Sequence, residues 1–285
     1  MKKEILVFVI SFFLGVFSYK CYWHYKYSKP PKQETIPINN YVGINDFRDE
    51  TGKEVASSKL IKGRVGIFIV FGQSNTTNSE SDLYTSKSNV LYVYKNKLYK
   101  YSDPILGIDG QGGTVWGLVG DKLIQQGKYD CVVFKCVGRG ATSIIEWQPR
   151  TELYKRIIDG NNELKLLGLT PTAILFHQGE GDNKYRSYFY QTKDYYTDFL
   201  KINNALRKEN ITAPIYVSIA SLGNSPKDTV ITNAQNKLIR TVKGIRRGVN
   251  TDSLVGRKYR YDETHLNYLG TQIVSDLWFK CLNTN

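Results

Sequence analysis

Between Val65 and Phe71 seven residues, mostly β-branched or aromatic, follow one another without a charge. Such a run predicts a strand buried on both faces. It stops at Gly72, and Gln73-Ser74-Asn75 follow at once. A serine at the carboxyl end of a buried strand stands where open α/β sheets hold their ligands. At or near a helix start it would also meet free N–H groups and a positive dipole end, a good setting for a nucleophile that generates an oxyanion. Serine also caps helices in that position, so this stretch alone leaves both roles open.

The remainder of the chain alternates strand and helix patterns. Val90–Tyr94 reads as a short strand, and Thr114–Gln126 as a helix with Val115, Leu118, Val119 and Leu123 at helical spacing, ended by Gly127. Cys131–Val137 reads as a buried strand, Glu152–Leu167 as an amphipathic helix ending at Gly168, and Thr172–Phe176 as a strand. Tyr185–Lys208 predicts a long helix, Ile215–Ile219 a strand, and Asn233–Val242 and Leu266–Phe279 two further helices. Strands alternating with helices of this length imply a parallel sheet covered on both faces. The long helix carries Tyr185, Tyr188, Phe189, Tyr190, Tyr195, Tyr196 and Phe199. Packing of an apolar face on the sheet explains this pattern better than an aromatic platform for sugar.

Ahead of this domain, Met1-Lys2-Lys3-Glu4 precedes the apolar run Ile5–Tyr19. That is the pattern of a signal peptide or a short signal anchor. No A-x-A cleavage site follows, and Cys21-Tyr22-Trp23 can extend the run to a membrane interface. Residues 1–27 are therefore expected to anchor an extracytoplasmic domain, or to be removed if the protein is secreted. Residues 28–60 read as a linker and domain entry, and 61–285 as the folded domain.

Composition is that of a globular protein, and 285 residues suffice for a sizeable core. The formal net charge is +13, which favours anionic partners through long-range attraction. Lys2, Lys3, Lys20, Lys26, Lys29 and Lys32 flank the N-terminal apolar run, and the clusters at Lys243–Arg247 and Arg257–Arg260 fit a solvated surface better than a nucleic-acid groove. Cys21, Cys131, Cys136 and Cys281 show no metal-binding spacing, and the five-residue step from Cys131 to Cys136 puts them on opposite faces of one strand as buried thiols. No metal and no cofactor is expected.

Chemistry is constrained by scarcity, since the chain has three histidines. His24 lies beside the apolar N-terminal run, so a base for Ser74 must come from His177 or His265. His265 follows Asp262 by three residues, a spacing that brings the two side chains together in a helical-type turn. The carboxylate would then fix the tautomer that leaves Nε2 free to take the serine proton. His177 opens His177-Gln178-Gly179-Glu180-Gly181-Asp182 at another strand end. There Gln178 is a potential donor to an oxyanion, while Glu180 and Asp182 can orient neighbours. Paired carboxylates also occur in glycoside hydrolysis, but the Ser/His/Asp set is the better match. Gly110-Gln111-Gly112-Gly113 fits neither the dinucleotide nor the P-loop pattern.

Five blocks in order, Gly72-Gln73-Ser74-Asn75, Gly112-Gly113-Thr114-Val115-Trp116, Gly138-Arg139-Gly140-Ala141-Thr142-Ser143-Ile144-Ile145-Glu146-Trp147, His177-Gln178-Gly179-Glu180-Gly181-Asp182 and Asp262-Glu263-Thr264-His265-Leu266, make the chain resemble an SGNH-type hydrolase. More specifically, it resembles the sialate O-acetylesterase-like family, related to carbohydrate esterase family 6. The resemblance covers roughly Val65 to the C-terminus. It implies a three-layer α/β/α sandwich with a mainly parallel central sheet, and metal-independent removal of O-acetyl groups from sugars. It also implies that Ser74 is the nucleophile, His265 the base and Asp262 its orienting acid. The Ser74 N–H, the Gly113 N–H and the Gln178 side chain would form the oxyanion hole, with Glu180 as a supporting residue. One departure is Gly138-Arg139-Gly140-Ala141, where many relatives have a compact Gly-Gly-Thr/Ser. An O-acetyltransferase on the same triad and a non-catalytic glycan-binding module are the alternatives. The partner expected in each case is an acetylated carbohydrate, with anionic sugars such as sialic acids favoured by the basic charge.

Overall fold

The computed structural model describes residues 46–185 and 192–284. Apolar runs and alternation place seven strands in one sheet: β1 (Val65–Gly72), β2 (Val90–Tyr94), β3 (Lys97–Lys100), β4 (Cys131–Cys136), β5 (Ala173–His177), β6 (Ile215–Ile219) and β7 (Ile245–Asn250). Their order across the sheet is β3-β2-β4-β1-β5-β6-β7, all parallel except β3, which pairs antiparallel with β2. The helices are α1 (Trp116–Gln125), α2 (Glu152–Leu166), α3 (Tyr195–Lys208), α4 (Thr229–Thr241) and α5 (Tyr268–Asn283).

Side chains alternate across a strand, so β1 feeds two cores at once. Ile67, Ile69 and Phe71 pack with Leu153 and Ile157 of α2, Phe199 and Ile202 of α3, and Ile231 and Leu238 of α4. Phe68 and Val70 pack on the other face with Trp116 and Val119 of α1 and Val274 and Trp278 of α5. The result is the expected three-layer α/β/α sandwich, with β1 at its centre. Cys131 and Cys136 divide between the two cores, and both thiols are free.

The two edges are protected differently. Residues 46–60, read from sequence as linker and domain entry, run along β3: Lys100 N–H donates to Glu54 O (2.9 Å) and Ala56 N–H to Leu98 O (2.8 Å). At the opposite edge β7 exposes Arg246 and Arg247, charges that discourage a further strand from adding.

Three expectations change. The hairpin partner β3 was not anticipated; Lys95 and Asn96 turn the chain with φ of 48° and 61°, the two positive values a tight two-residue hairpin needs. β7 was also missed, inside what reads as a basic cluster. The long helix begins at Tyr195 rather than Tyr185, because Asp194 caps it by accepting from Thr197 N–H (3.1 Å). Tyr195 and Phe199 are core residues, Tyr185 is exposed, and Tyr188, Phe189 and Tyr190 lie outside the described residues. The N-terminal apolar run lies outside them too. Among the described residues no helix is long and apolar enough to cross a membrane.

Candidate active site

The site begins where β1 ends. Gly72 leaves the strand with φ of +132°, and a Cβ there would stand 2.1 Å from the His177 carbonyl oxygen, so only glycine passes. Gln73 N–H donates to that same carbonyl (3.0 Å), and the chain closes a single 3₁₀ turn, Ser74–Thr76. The turn is too short to supply a helix dipole of the kind the sequence suggested. Nor does Ser74 cap anything: Gln73 holds the cap position, and Ser74 Oγ makes no hydrogen bond among the described residues. Ser74 is 7% exposed. A serine that neither caps nor bonds at a strand end is left with its hydroxyl uncommitted.

Two loops pack against this turn. In the one after β5, Gly181 N–H donates to Gln73 Oε1 (2.9 Å), and Asn75 Nδ2 donates to Glu180 Oε1 (2.8 Å). Glu180 is thus buried beneath the Ser74 turn. His177 lies beside it, its Nε2 3.0 Å from Thr251 Oγ1 and 3.6 Å from Glu180 Oε1. Burial holds its pKa below the ordinary value despite the Glu180 carboxylate. A buried imidazole committed to these neighbours is a structural group.

The loop after β4 also comes close to the serine. A Cβ on Gly140 would lie 3.6 Å from Ser74 Cβ and 2.7 Å from Asp109 Oδ2. The Gly140 N–H points at the Asp109 carboxylate, 3.0 and 3.1 Å from its two oxygens. Asp109 is half-buried, and its pKa is raised by desolvation against the pull of Arg139. Arg139 is itself buried and turned toward Asp46, with Nη1 3.7 Å from Oδ1, and Arg156 pairs with the same carboxylate.

The sequence-assigned oxyanion donors Gly113 and Gln178 are engaged elsewhere. Gly113 N–H donates to Glu80 O (3.0 Å), and the neighbouring Gly112 N–H to Asn78 O (2.9 Å). Gln178 is fully buried and gives both amide hydrogens away, to Thr142 O (3.1 Å) and Asp182 Oδ2 (2.6 Å). Asp182 also accepts from Ser143 Oγ (2.6 Å) and Ile144 N–H (2.7 Å), and burial pushes its pKa up to about 6. Gln178 therefore locks the β5 loop to the β4 loop. Sequence reading passed over Gly140, although it lies in the departure Gly138-Arg139-Gly140-Ala141, and the fold brings this glycine against Ser74.

The third loop carries the Asp–His pair. Asp262 Oδ1 accepts from Thr264 N–H (2.9 Å) and His265 N–H (2.7 Å), while Oδ2 lies 2.5 Å from His265 Nδ1. Burial raises the Asp262 pKa, but these hydrogen bonds from His265 and Thr264 outweigh it and the net shift is downward. The carboxylate is therefore ionised, and with Nδ1 committed to it the Nε2 edge is left for chemistry. Glu263 makes the turn possible with φ of +70°. Beneath the loop sits Arg260, 0% exposed, donating to Leu254 O (2.9 Å), Thr251 O (2.9 Å) and Thr264 O. The expected solvated cluster Arg257–Arg260 is corrected at this residue: Arg257 is exposed, and Arg260 is a buried clamp.

The segments that follow Ser74 and surround His265 are stitched together. Ser81 N–H donates to Leu266 O (3.1 Å), and Tyr261 OH donates to Ser79 O (3.1 Å). Between them Glu80 is fully buried, and burial raises its pKa well above the usual range despite the facing Arg260. Among the described residues no hydrogen bond joins Ser74 Oγ to the His265 ring.

The carbohydrate esterase family described as sialic acid-specific acetylesterase matches residues 64–275. No curated protein matches the chain. Among solved structures, a protein from Arabidopsis thaliana superposes with a TM-score of 0.63 at 16% identity, covering 78% of this chain and 99% of its own. A carbohydrate acetylesterase from Xanthomonas citri gives 0.54 at 12% identity, over 76% of this chain and 55% of its own. The protein NanS gives 0.53 at 11%, over 78% and 97%. At such identities these three establish a shared fold. The family match spans most of the chain, and on it the protein belongs to the carbohydrate esterases of the sialic acid-specific acetylesterase family.

Proposed function

We propose that this esterase removes O-acetyl groups from carbohydrate with Ser74 as nucleophile, His265 as general base and acid, and Asp262 as the group that orients it. His265 Nε2 takes the Ser74 proton as Oγ attacks the acetyl carbonyl. The tetrahedral intermediate collapses with cleavage of the bond between the acetyl carbon and the sugar oxygen, which leaves with the proton held on His265. Water, deprotonated by the same imidazole, then splits the acetyl-serine, giving acetate and regenerating the hydroxyl. The observation that carries this reading is the His265 Nδ1–Asp262 pair at 2.5 Å, on a loop tied to the residues that follow Ser74.

Ser74 N–H and Gly140 N–H are the donors we assign to the oxyanion. Gly140 stands against the serine, and its N–H would pass from the Asp109 carboxylate to the developing charge. Glu180 supports the turn through Asn75. The family match and the net charge of +13 favour an acidic acetylated sugar, such as a sialic acid. The N-terminal apolar run is proposed to anchor the domain to a membrane on its extracytoplasmic side.

Profiling acetate release from O-acetylated sialic acid, acetylated xylan and acetylated peptidoglycan tests the substrate class. Release is expected without any added acceptor, and fastest from the acidic glycans. Glycan binding with no acetate released from any of them would overturn the reading.

A further inference from the structure

Tyr261 stands beside the catalytic pair without a part in the proton transfers. Its ring stacks on the His265 imidazole, with centroids 5.9 Å apart and planes inclined by 28°. Its hydroxyl donates to Ser79 O (3.1 Å), which ties the histidine loop to the segment following Ser74. An aromatic side chain held in these two ways is a fixed surface, and 46% of the residue remains exposed. An exposed Tyr offers a ring face together with a polar tip.

The position relative to the chemistry gives the surface a ligand. His265 must hand a proton from Nε2 to the departing sugar oxygen, within hydrogen-bond reach. The sugar ring bonded to that oxygen then lies alongside the imidazole and its stacked neighbour. A pyranose presents apolar C–H groups on its faces, and an aromatic face with a polar tip suits such a partner. Burial also raises the Tyr261 pKa, which favours the neutral phenol that donates to Ser79.

We propose that Tyr261 forms a sugar-stacking subsite for the leaving carbohydrate, so that the enzyme distinguishes acetylated sugars from small alkyl acetates at this residue. The inference rests on the esterase reading above and concerns the leaving-group side of that same site.

The test compares O-acetylated sialic acid with ethyl acetate, which carries no ring, in the full-length protein, Tyr261→Ala, Tyr261→Phe and Ser74→Ala. For Tyr261→Ala, kcat/KM on the sugar is expected to fall about tenfold more than on ethyl acetate, equivalent to ~1.4 kcal/mol, mainly through KM. Tyr261→Phe keeps the ring, so its sugar-to-alkyl ratio should stay within about twofold of the parent's, in line with ring contact as the source of discrimination. An equal loss on both esters, or a ratio lost with Tyr261→Phe as well, overturns the subsite and leaves Tyr261 as a support for the loop. Sugar hydrolysis that persists in Ser74→Ala overturns the esterase reading itself, and with it the inference.

Discussion

At the scale of single residues, few side-chain groups near the β1 exit are left uncommitted. Ser74 Oγ caps nothing and bonds to nothing described, while His177 Nε2, both Gln178 amide hydrogens and the Gly113 N–H are engaged by the fold. Asp262→Asn removes the charge that holds His265 in one tautomer and stabilises its cationic form. It should lower kcat on the order of a thousandfold with little change in KM, checked by steady-state kinetics on an acetylated sugar. A loss below about tenfold would deny Asp262 that role. Arg260 is expected to matter through the loop it clamps. Arg260→Met deletes a buried cation among Glu80, Glu180, Asp252 and Asp262, and should destabilise by about 3–5 kcal/mol in urea unfolding. Arg260 was misread from sequence because a basic cluster looks alike whether its members face water or carbonyl groups. Gly140 was missed because nothing in the spacing of residues says which glycine a fold will press against a serine.

At the scale of elements, the most exacting feature is the exit from β1. Gly72→Ala sets a methyl group 2.1 Å from the His177 carbonyl in a backbone region that L-residues rarely adopt, and should cost at least about 2 kcal/mol of stability. Urea unfolding beside the parent checks it, and an unchanged midpoint would contradict the described turn. The central strands β1, β4, β5 and β6 were legible because strands buried on both faces read as apolar runs. Edge strands are another matter. β3 and β7 carry Lys97, Lys100, Arg246 and Arg247 on exposed positions, so their sequences read as loop or surface. The start of α3 was misplaced because aromatic periodicity continues upstream of Tyr195 while the Asp194 cap is local. The triad candidates were legible for a different reason: three histidines left few choices, and Asp262 stands three residues before His265.

At the scale of the whole molecule, burial of acidic groups gives stability a definite pH dependence. Asp103 and Glu146 are pushed up to about 7 and Asp182 to about 6, each chiefly by burial. Their folded values lie above unfolded values of about 4, so their contribution is complete below about pH 4 and is lost as pH rises through 6–7. His177, pushed down by burial, acts in the opposite sense, but it is one group against these three and against Glu80 and Asp109, which burial also raises. The urea midpoint is therefore expected to fall between about pH 4 and 7, and Glu146→Gln should flatten part of that fall. A midpoint that rises over this range would contradict the buried carboxylates described. The net charge of +13 adds a second expectation: kcat/KM for an anionic acetylated sugar should decline with added salt, while that for a neutral one holds steady.

The most direct test of the central claim is acetate release by Ser74→Ala, measured beside the parent protein on the best acetylated sugar. A fall of at least about a thousandfold is expected, with an unchanged circular dichroism spectrum and urea midpoint, since Ser74 Oγ contributes no hydrogen bond to the described fold. Acetate release at the parent's rate by Ser74→Ala would contradict it.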